Sequence, residues 1–351
     1  MKAMPGRRRT RTSRRRGSEG AGRRGLLEKE MAAAGKRWGQ RHVQHDPTDT
    51  KAEVKAMSEA FTKQWISNGR VISPDKLPAI LKAGRAFREG WRSTKGKVRG
   101  SDRLVMLPLR REAGAVVVGV RDPILTAAVL QELCRLPLAE ITVVHSGAAS
   151  SLPQPSSMDS RVTVVYHPDD VQEDVERAIG AKLARTESLL FVHGGLVLSA
   201  EQLAPYLLMI EAGADAVLCD YHSTLGLFTE WDGPARVTAF VNTSIGRADL
   251  GANSLHRLPH ALSRQALQHL SSQQLMVPAK AQTALVAAGL TMKVCGSIPI
   301  SSVRKRESAD LSRLRLGDYV EALHQAIEIK GSRLSLTDGS RKRLSHGRQG
   351  L

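Results

Sequence analysis

The spacing of apolar and polar positions divides the chain into regions of different character. Residues 50–91 carry apolar side chains at helical spacing and predict two helices, separated at Asn68-Gly69. From about residue 112, short continuous apolar runs alternate with helical stretches. The runs cover 115–120, 140–144, 162–166, 188–193 and 216–219. Runs of this length are typical of strands that helices bury on both faces, so they predict an α/β fold with a mostly parallel sheet.

The alternation weakens after Asp220. The following forty residues predict mainly loops, with a helical stretch over 241–246. The later predicted elements are helices over 262–270, 278–288 and 317–329, the last capped at Gly317-Asp318-Tyr319, and a short strand over 292–298. We therefore predict four parts: a disordered basic arm (1–49), a helical pair with a linker (50–111), an α/β domain (112–330) and a basic tail (331–351).

Basic residues are concentrated at the start of the chain. Residues 1–42 hold fourteen Lys and Arg against three Glu, and the whole chain has a net charge of +18. This segment has no apolar periodicity and cannot bury enough surface to offset the loss of chain entropy, so we predict disorder. Its charge favours electrostatic contact with nucleic acid or an anionic surface. The alternative is a solvated tail without a specific partner, because no aromatic residues that stack on bases are interleaved with the charges.

The cysteines, the length of the apolar stretches and the nucleotide-binding motifs limit the classes of protein that the chain can belong to. The three cysteines, Cys134, Cys219 and Cys295, lack metal-ligand spacing and predict buried thiols in a reducing compartment. No stretch reaches the roughly eighteen apolar residues of a transmembrane helix, so we expect a cytoplasmic protein without a membrane span. No GxGxxG follows the first predicted strand and no GxxxxGK[ST] occurs anywhere, which leaves a dinucleotide-binding fold and a P-loop unsupported.

The run 188–193 ends in His193-Gly194-Gly195, where the glycines permit a sharp turn or a close approach to a ligand. Ligands of open α/β sheets bind just outside the carboxyl ends of the strands. His193 is therefore a candidate for chemistry. The alternative is a loop histidine without a ligand role.

Motifs in a recognisable order accompany the predicted strands. They are Val-Arg-Asp-Pro (120–123), EITVVHSGAASS (140–151), ERAIGAKLAR (176–185), FVHGG (191–195) and GADAV (213–217). In this order they resemble the glycosyltransferase family 2 type of GT-A domain, in a bacterial branch, over about residues 112–330. The resemblance implies an α/β/α sandwich that transfers a sugar from a nucleotide-diphosphate donor.

The same resemblance implies a divalent metal, Mn²⁺ or Mg²⁺, held by the carboxylates of a DxD motif against the diphosphate. The aligned positions here are His193 and Gly195. Gly195 has no side chain to ligate with, and one imidazole is a poor replacement for two carboxylates. The motif is thus degenerate (HGG), its metal ligands are largely absent, and no residue is assigned to a metal.

The resemblance also assigns candidate nucleotide-sugar contacts, which are Asp122, Ser146, Arg177 and His193. Two of them have simpler alternatives. Asp122 precedes Pro123 and would suit the N-terminus of a helix. Arg177 would suit an exposed ion pair with Glu173, one helical turn away.

Asp220 follows a predicted strand on the side where the family binds its acceptor, and it is our candidate general base. Asp249, Asn253 and His260 are candidates for acceptor contacts, with turn or capping roles as the alternative. Arg304-Lys305-Arg306 would complement a diphosphate in place of the lost metal, or form a solvated basic loop.

These observations predict a glycosyltransferase with reduced or metal-independent activity toward an unknown acceptor. The alternative is a catalytically inactive GT-A-fold binding or scaffold protein, whose basic arm contacts nucleic acid or an acidic polymer. Nucleotidyl transfer is a third option, but the chain lacks the Gly-rich, Lys-bearing loop that this activity would require after the first strand.

Overall fold

A computed structural model describes residues 15–41, 50–95, 103–147, 159–296 and 309–335. The chain forms two compact units, Met1–Pro108 and Leu109–Leu351, and their division lies near the predicted start of the α/β domain.

The first unit is helical. Its helices are α1 (Arg15–Arg41), α2 (Thr50–Ser67) and α3 (Leu77–Lys95), and a single 3₁₀ turn at Pro74–Lys76 precedes α3. The predicted pair α2 and α3 is confirmed, and the rings of Phe61 and Phe87 join these helices at a centroid distance of 5.6 Å. Helices α1 and α3 approach closely, since a Cβ on Gly35 would lie 1.9 Å from the Phe87 carbonyl oxygen.

The prediction of disorder over 1–49 is wrong for Arg15–Arg41, which form α1. Leu27, Met31 and Ala34 are spaced at helical intervals, and all three are buried. This apolar stripe is short and narrow, and the many charged residues around it hide its helical spacing in the sequence. Residues 1–14 and 42–49 of the predicted arm lie outside the described part of the chain.

The second unit is built on a seven-stranded sheet. The strands are β1 (Ala113–Val118), β2 (Glu140–Ser146), β3 (Val162–His167), β4 (Ser188–His193), β5 (Ala216–Cys219), β6 (His260–Ser263) and β7 (Met292–Cys295). Their order is β3-β2-β1-β4-β6-β5-β7. β6 is antiparallel to its neighbours β4 and β5, whereas the other pairs are parallel. The predicted α/β class with a mostly parallel sheet is confirmed.

The helices of this unit are α4 (Pro123–Cys134), α5 (Glu173–Leu183), α6 (Ala200–Glu211), α7 (Gly233–Ser244), α8 (Arg264–His269), α9 (Ser272–Leu275), α10 (Pro278–Ala287) and α11 (Ala309–Lys330). Alternate residues of β1 point to opposite faces, and Ala115, Val116, Val117 and Val118 are all fully buried, so both faces of the sheet are covered. Gly180 lets α5 pack closely on β1, because a Cβ there would lie 2.2 Å from Val116 Cγ1.

Three predictions in the second half need correction. The first residues of the predicted helix 262–270 belong to strand β6, which has only two apolar residues and is fixed by pairing with β4 and β5. Helix α7 begins at Gly233, well before the predicted 241. Gly317 lies inside α11 and does not cap it. A glycine inside a helix lowers its stability by about 1 kcal/mol relative to alanine. Packing of Tyr319, Ala322 and Ala326 against Val241 and Ile245 offsets this loss.

Cys219 and Cys295 are buried free thiols, as predicted, and stand opposite each other on β5 and β7. Cys134 is half-buried. Within the described ranges, none of the helices combines the length and the apolar character that crossing a membrane requires.

Candidate functional site

The carboxyl ends of β1, β2 and β4 lie side by side at one edge of the sheet. β1 pairs in parallel with both β2 and β4, so the segments that follow these strands emerge together. The first turn of α5, which packs on β1 and β2, brings Glu173, Glu176 and Arg177 to the same edge. This position matches the usual ligand crevice of open α/β sheets.

Glu176 joins the ends of β1 and β2. Its side chain is fully buried, and its two carboxylate oxygens accept hydrogen bonds of 2.6 Å from the Gly119 backbone N–H and the Ser146 hydroxyl. The half-exposed Arg121 donates to Ser146 Oγ at 3.3 Å and pairs with Asp170 at 2.9 Å. The hydroxyl of Ser146 is thus already engaged inside the protein.

His193 stands at the end of β4 with both ring nitrogens engaged. Its Nδ1 accepts a hydrogen bond of 2.8 Å from the Gly195 N–H, so the ring proton lies on Nε2, 3.1 Å from Glu173 Oε1. The ring packs against Gly119, whose φ is +65° and where a Cβ would lie 2.5 Å from Nε2, so only glycine fits there. Burial alone would raise the pKa of Glu173, but the His193 hydrogen bond and the charges of Arg177 and Arg315 lower it.

The positions aligned with the metal carboxylates do not fit a divalent ion. His193 has no free lone pair while Nδ1 accepts from Gly195, and Gly195 offers no side chain. In the described part of the chain, no group of three or more His, Cys, Asp and Glu side chains is arranged to hold a metal.

Arg177 is not the exposed residue of the simpler prediction. It is 2% exposed, and its ion-pair partner is Asp174, at 2.8 Å, rather than Glu173. Burial raises the pKa of Asp174 even though the charges of Arg177 and Arg315 oppose that shift. The Arg177 Nε makes no hydrogen bond with any described residue.

Asp122 caps α4. Its Oδ1 accepts hydrogen bonds from the backbone N–H groups of Ile124 and Leu125, at 2.8 and 3.0 Å. The capping alternative is confirmed.

The polar residues predicted on the acceptor side lie just after β5, in the segment between α7 and β6, and on β6 itself. Asp220, after β5, accepts from the Ser223 N–H at 3.1 Å. Asp249 is paired with Arg247 at 2.8 Å, and the hydrogen bond from that arginine lowers the pKa of its carboxyl. Asn253 is buried and accepts from the His222 N–H at 2.7 Å.

His260 is fully buried and stacks on Phe191, with ring centroids 4.9 Å apart. Within the described residues, none of the four acceptor-side candidates makes a hydrogen bond or an ion pair to Arg121, Ser146 or His193. The basic stretch Arg304-Lys305-Arg306 lies outside the described residues.

The sequence motifs alone did not single out Arg121, Glu173 and Glu176, although a signal for them exists. Residues 173, 176 and 177 share one helical face at i, i+3 and i+4, and Arg121 lies within the motif that follows β1.

Comparison with known proteins gave solved structures only, since neither a family model nor a curated protein matches the chain. A UDP complex of glucosyl-3-phosphoglycerate synthase from Mycobacterium tuberculosis is 15% identical, with a TM-score of 0.42, over 61% of this chain and 81% of that one. Mannosyl-3-phosphoglycerate synthase from Rubrobacter xylanophilus is 12% identical, with a TM-score of 0.45, over 66% and 78%. A mannosyltransferase from Pyrobaculum calidifontis, solved with GDP-Man and Mn²⁺, is 11% identical, with a TM-score of 0.38, over 84% and 87%. Such low scores and identities establish neither a family nor an activity.

Proposed function

We propose that this protein is glycosyltransferase-like and binds a nucleotide-diphosphate sugar at the carboxyl edge of β1, β2 and β4. One observation carries the proposal. The motifs that resemble a GT-A domain lie far apart in sequence, yet Arg121, Ser146, Arg177 and His193 all come to this edge or its adjoining helix.

The charge at the edge suits a phosphorylated ligand. Arg121 is half-exposed, and its planar fork can bind a phosphate through two parallel hydrogen bonds. Ser146 and His193 would contact the nucleotide or sugar, and Asp122 would do so through the part of its carboxyl that the α4 cap leaves open. Asp220 is the proposed base for the acceptor hydroxyl, with Asp249, Asn253 and His260 on the acceptor side.

The internal hydrogen bonds of Ser146 and His193 set a condition on nucleotide-sugar binding, whether or not transfer follows. Both side chains would have to exchange a protein partner for a ligand. An inactive relative would bind the nucleotide sugar and transfer nothing.

Isothermal titration of the full chain with UDP- and GDP-sugars, with Mn²⁺ and then with EDTA, tests the proposal. We expect binding in EDTA that Arg121→Ala weakens by about tenfold, the worth of one charge-assisted hydrogen-bonding group. Arg313→Ala is the matched control, because that arginine is 80% exposed on α11. Absence of binding to every nucleotide sugar would contradict the proposal, and release of the nucleoside diphosphate on incubation would separate an enzyme from an inactive relative.

A further inference from the structure

An exposed aromatic surface follows β5, and neither the sequence motifs nor the proposed site accounts for it. Phe228 is 62% exposed, Phe240 is 58% exposed, and Leu227 beside Phe228 is 71% exposed. The chain has five phenylalanines, and the other three are buried: Phe61, Phe87 and Phe191. Large apolar side chains grouped at a protein surface mark a place where another group binds.

Specific contacts hold these side chains in one surface. The Trp231 Nε1–H donates a hydrogen bond of 3.0 Å to the Gly226 carbonyl, and the Trp231 and Phe228 ring centroids lie 5.1 Å apart. The guanidinium carbon of Arg236 lies 5.5 Å from the centre of the Phe228 ring. Phe240 follows Arg236 by one turn of α7, so one helix face carries both. The surface, called the aromatic patch below, consists of Leu227, Phe228, Arg236 and Phe240.

The segment that carries the aromatic patch is acidic, although the chain as a whole has a net charge of +18. Residues 220–240 hold Asp220, Glu230 and Asp232, whereas Arg236 is the only Lys or Arg among them. Glu230 and Asp232 are both exposed. Because complementary charges across a binding surface select the partner, the aromatic patch favours a partner that is basic and partly apolar.

A segment of this composition begins next to the aromatic patch. The Ser335 N–H donates a hydrogen bond of 3.0 Å to the Ser244 carbonyl, and Ser244 follows Phe240 by one turn of α7. Residues 336–351, which come next and lie outside the described residues, hold three leucines and four Arg and Lys against one Asp. One helical turn is about 5.4 Å long and an extended chain spans about 3.3 Å per residue, so the first few of these residues can reach Phe240.

We propose that residues 336–351 dock on the aromatic patch of their own chain. Their leucines would cover the exposed rings of Phe228 and Phe240, and Arg341-Lys342-Arg343 would lie beside the carboxylates of Glu230 and Asp232. The covalent connection at Ser335 favours this segment over a separate partner, because it raises the effective concentration at the patch to about the millimolar range.

The docked segment would lie next to the proposed acceptor side. His222, two residues after Asp220, packs edge-on against Trp231 with ring centroids 5.2 Å apart, so the aromatic patch and the segment that begins at Asp220 are in contact. The inference goes beyond the proposed function and does not require that a nucleotide sugar binds.

The test is photocross-linking of the full chain carrying Phe240→p-benzoylphenylalanine, with the joined peptides identified by mass spectrometry. We expect cross-links within one chain to peptides from residues 336–351. Neutralising Arg341, Lys342 and Arg343 together by serine should lower their yield by about threefold, since exposed charge pairs contribute modestly. Val320→p-benzoylphenylalanine is the matched control, because Val320 is 65% exposed on α11 of the same unit, and it should label these peptides at least about threefold less.

Thermal unfolding of each variant checks that the fold is retained, and Phe228→p-benzoylphenylalanine provides a second probe if the Phe240 variant does not fold. Cross-links that join two chains would overturn the inference and assign the aromatic patch to a second copy. Cross-links only to residues 1–335, no cross-linked peptide, equal labelling from positions 240 and 320, or a yield unchanged by neutralising the three basic residues would also overturn it. None of these results bears on nucleotide-sugar binding, so this inference and the proposed function can fail separately.

Discussion

Replacing Glu176 by alanine removes the acceptor that joins β1, β2 and α5. Its carboxylate takes hydrogen bonds of 2.6 Å from the buried Gly119 N–H and the Ser146 hydroxyl. An unsatisfied buried donor costs about 1–3 kcal/mol. Ser146 can turn its hydroxyl to the Val171 carbonyl, already at 3.3 Å, whereas the Gly119 N–H has no such alternative. We therefore expect Glu176→Ala to lower the free energy of unfolding by about 3 kcal/mol.

Urea unfolding followed by far-ultraviolet circular dichroism measures this loss. Glu321→Ala is the matched control, because that glutamate is 59% exposed and pairs with Lys280 on the surface of the same unit. The control should cost at most about 1 kcal/mol. If the two variants lose the same stability, Glu176 does not organise the strand ends as described.

Three further predictions concern the same unit. Gly119→Ala should lower the free energy of urea unfolding more than Gly289→Ala does. Both glycines have a positive φ, but only at Gly119 would a Cβ meet the imidazole of His193, at 2.5 Å from Nε2. Equal losses of stability in the two variants would exclude the clash. Gly180→Ala should lower the free energy of unfolding by about 2 kcal/mol, and adding Val116→Ala should restore part of that loss because it makes room for the new methyl group. If the losses of the two substitutions are strictly additive, the close contact is contradicted. Glu173, whose folded-state pKa is lowered, stabilises the fold above its ordinary pKa and loses that effect as pH falls through the folded value. The gap in unfolding free energy between wild type and Glu173→Gln should thus narrow as the pH falls below the ordinary glutamate pKa of 4.5, and a gap that stays constant would contradict the assignment.

Most strands of the α/β unit were predictable because each contains a short, mainly apolar run. Ser188–His193 and Ala216–Cys219 end where the pattern placed them. β6 could not be predicted, since only two of its four residues are apolar and its antiparallel place between β4 and β5 is set by tertiary pairing. The helix α1 was missed for a different reason, because only a narrow apolar stripe interrupts its charges.

Motif order indicated which strand ends carry the candidate residues, but not the contacts made there. Ser146 and His193 were expected at the ends of strands, and the structure has them at the ends of β2 and β4, the two neighbours of β1. The partners that fix them, Glu176 and Glu173, required knowledge of how α5 packs on the sheet.

Hydrogen–deuterium exchange of the full chain, with and without UDP- and GDP-sugars in EDTA, tests most directly that a nucleotide sugar binds at this edge. We predict slower exchange in the peptides that contain Gly119–Asp122, Ser146, the first turn of α5 and His193–Gly195. Unchanged exchange in these peptides at saturating nucleotide sugar, or protection confined to the helices of the first unit, would contradict it.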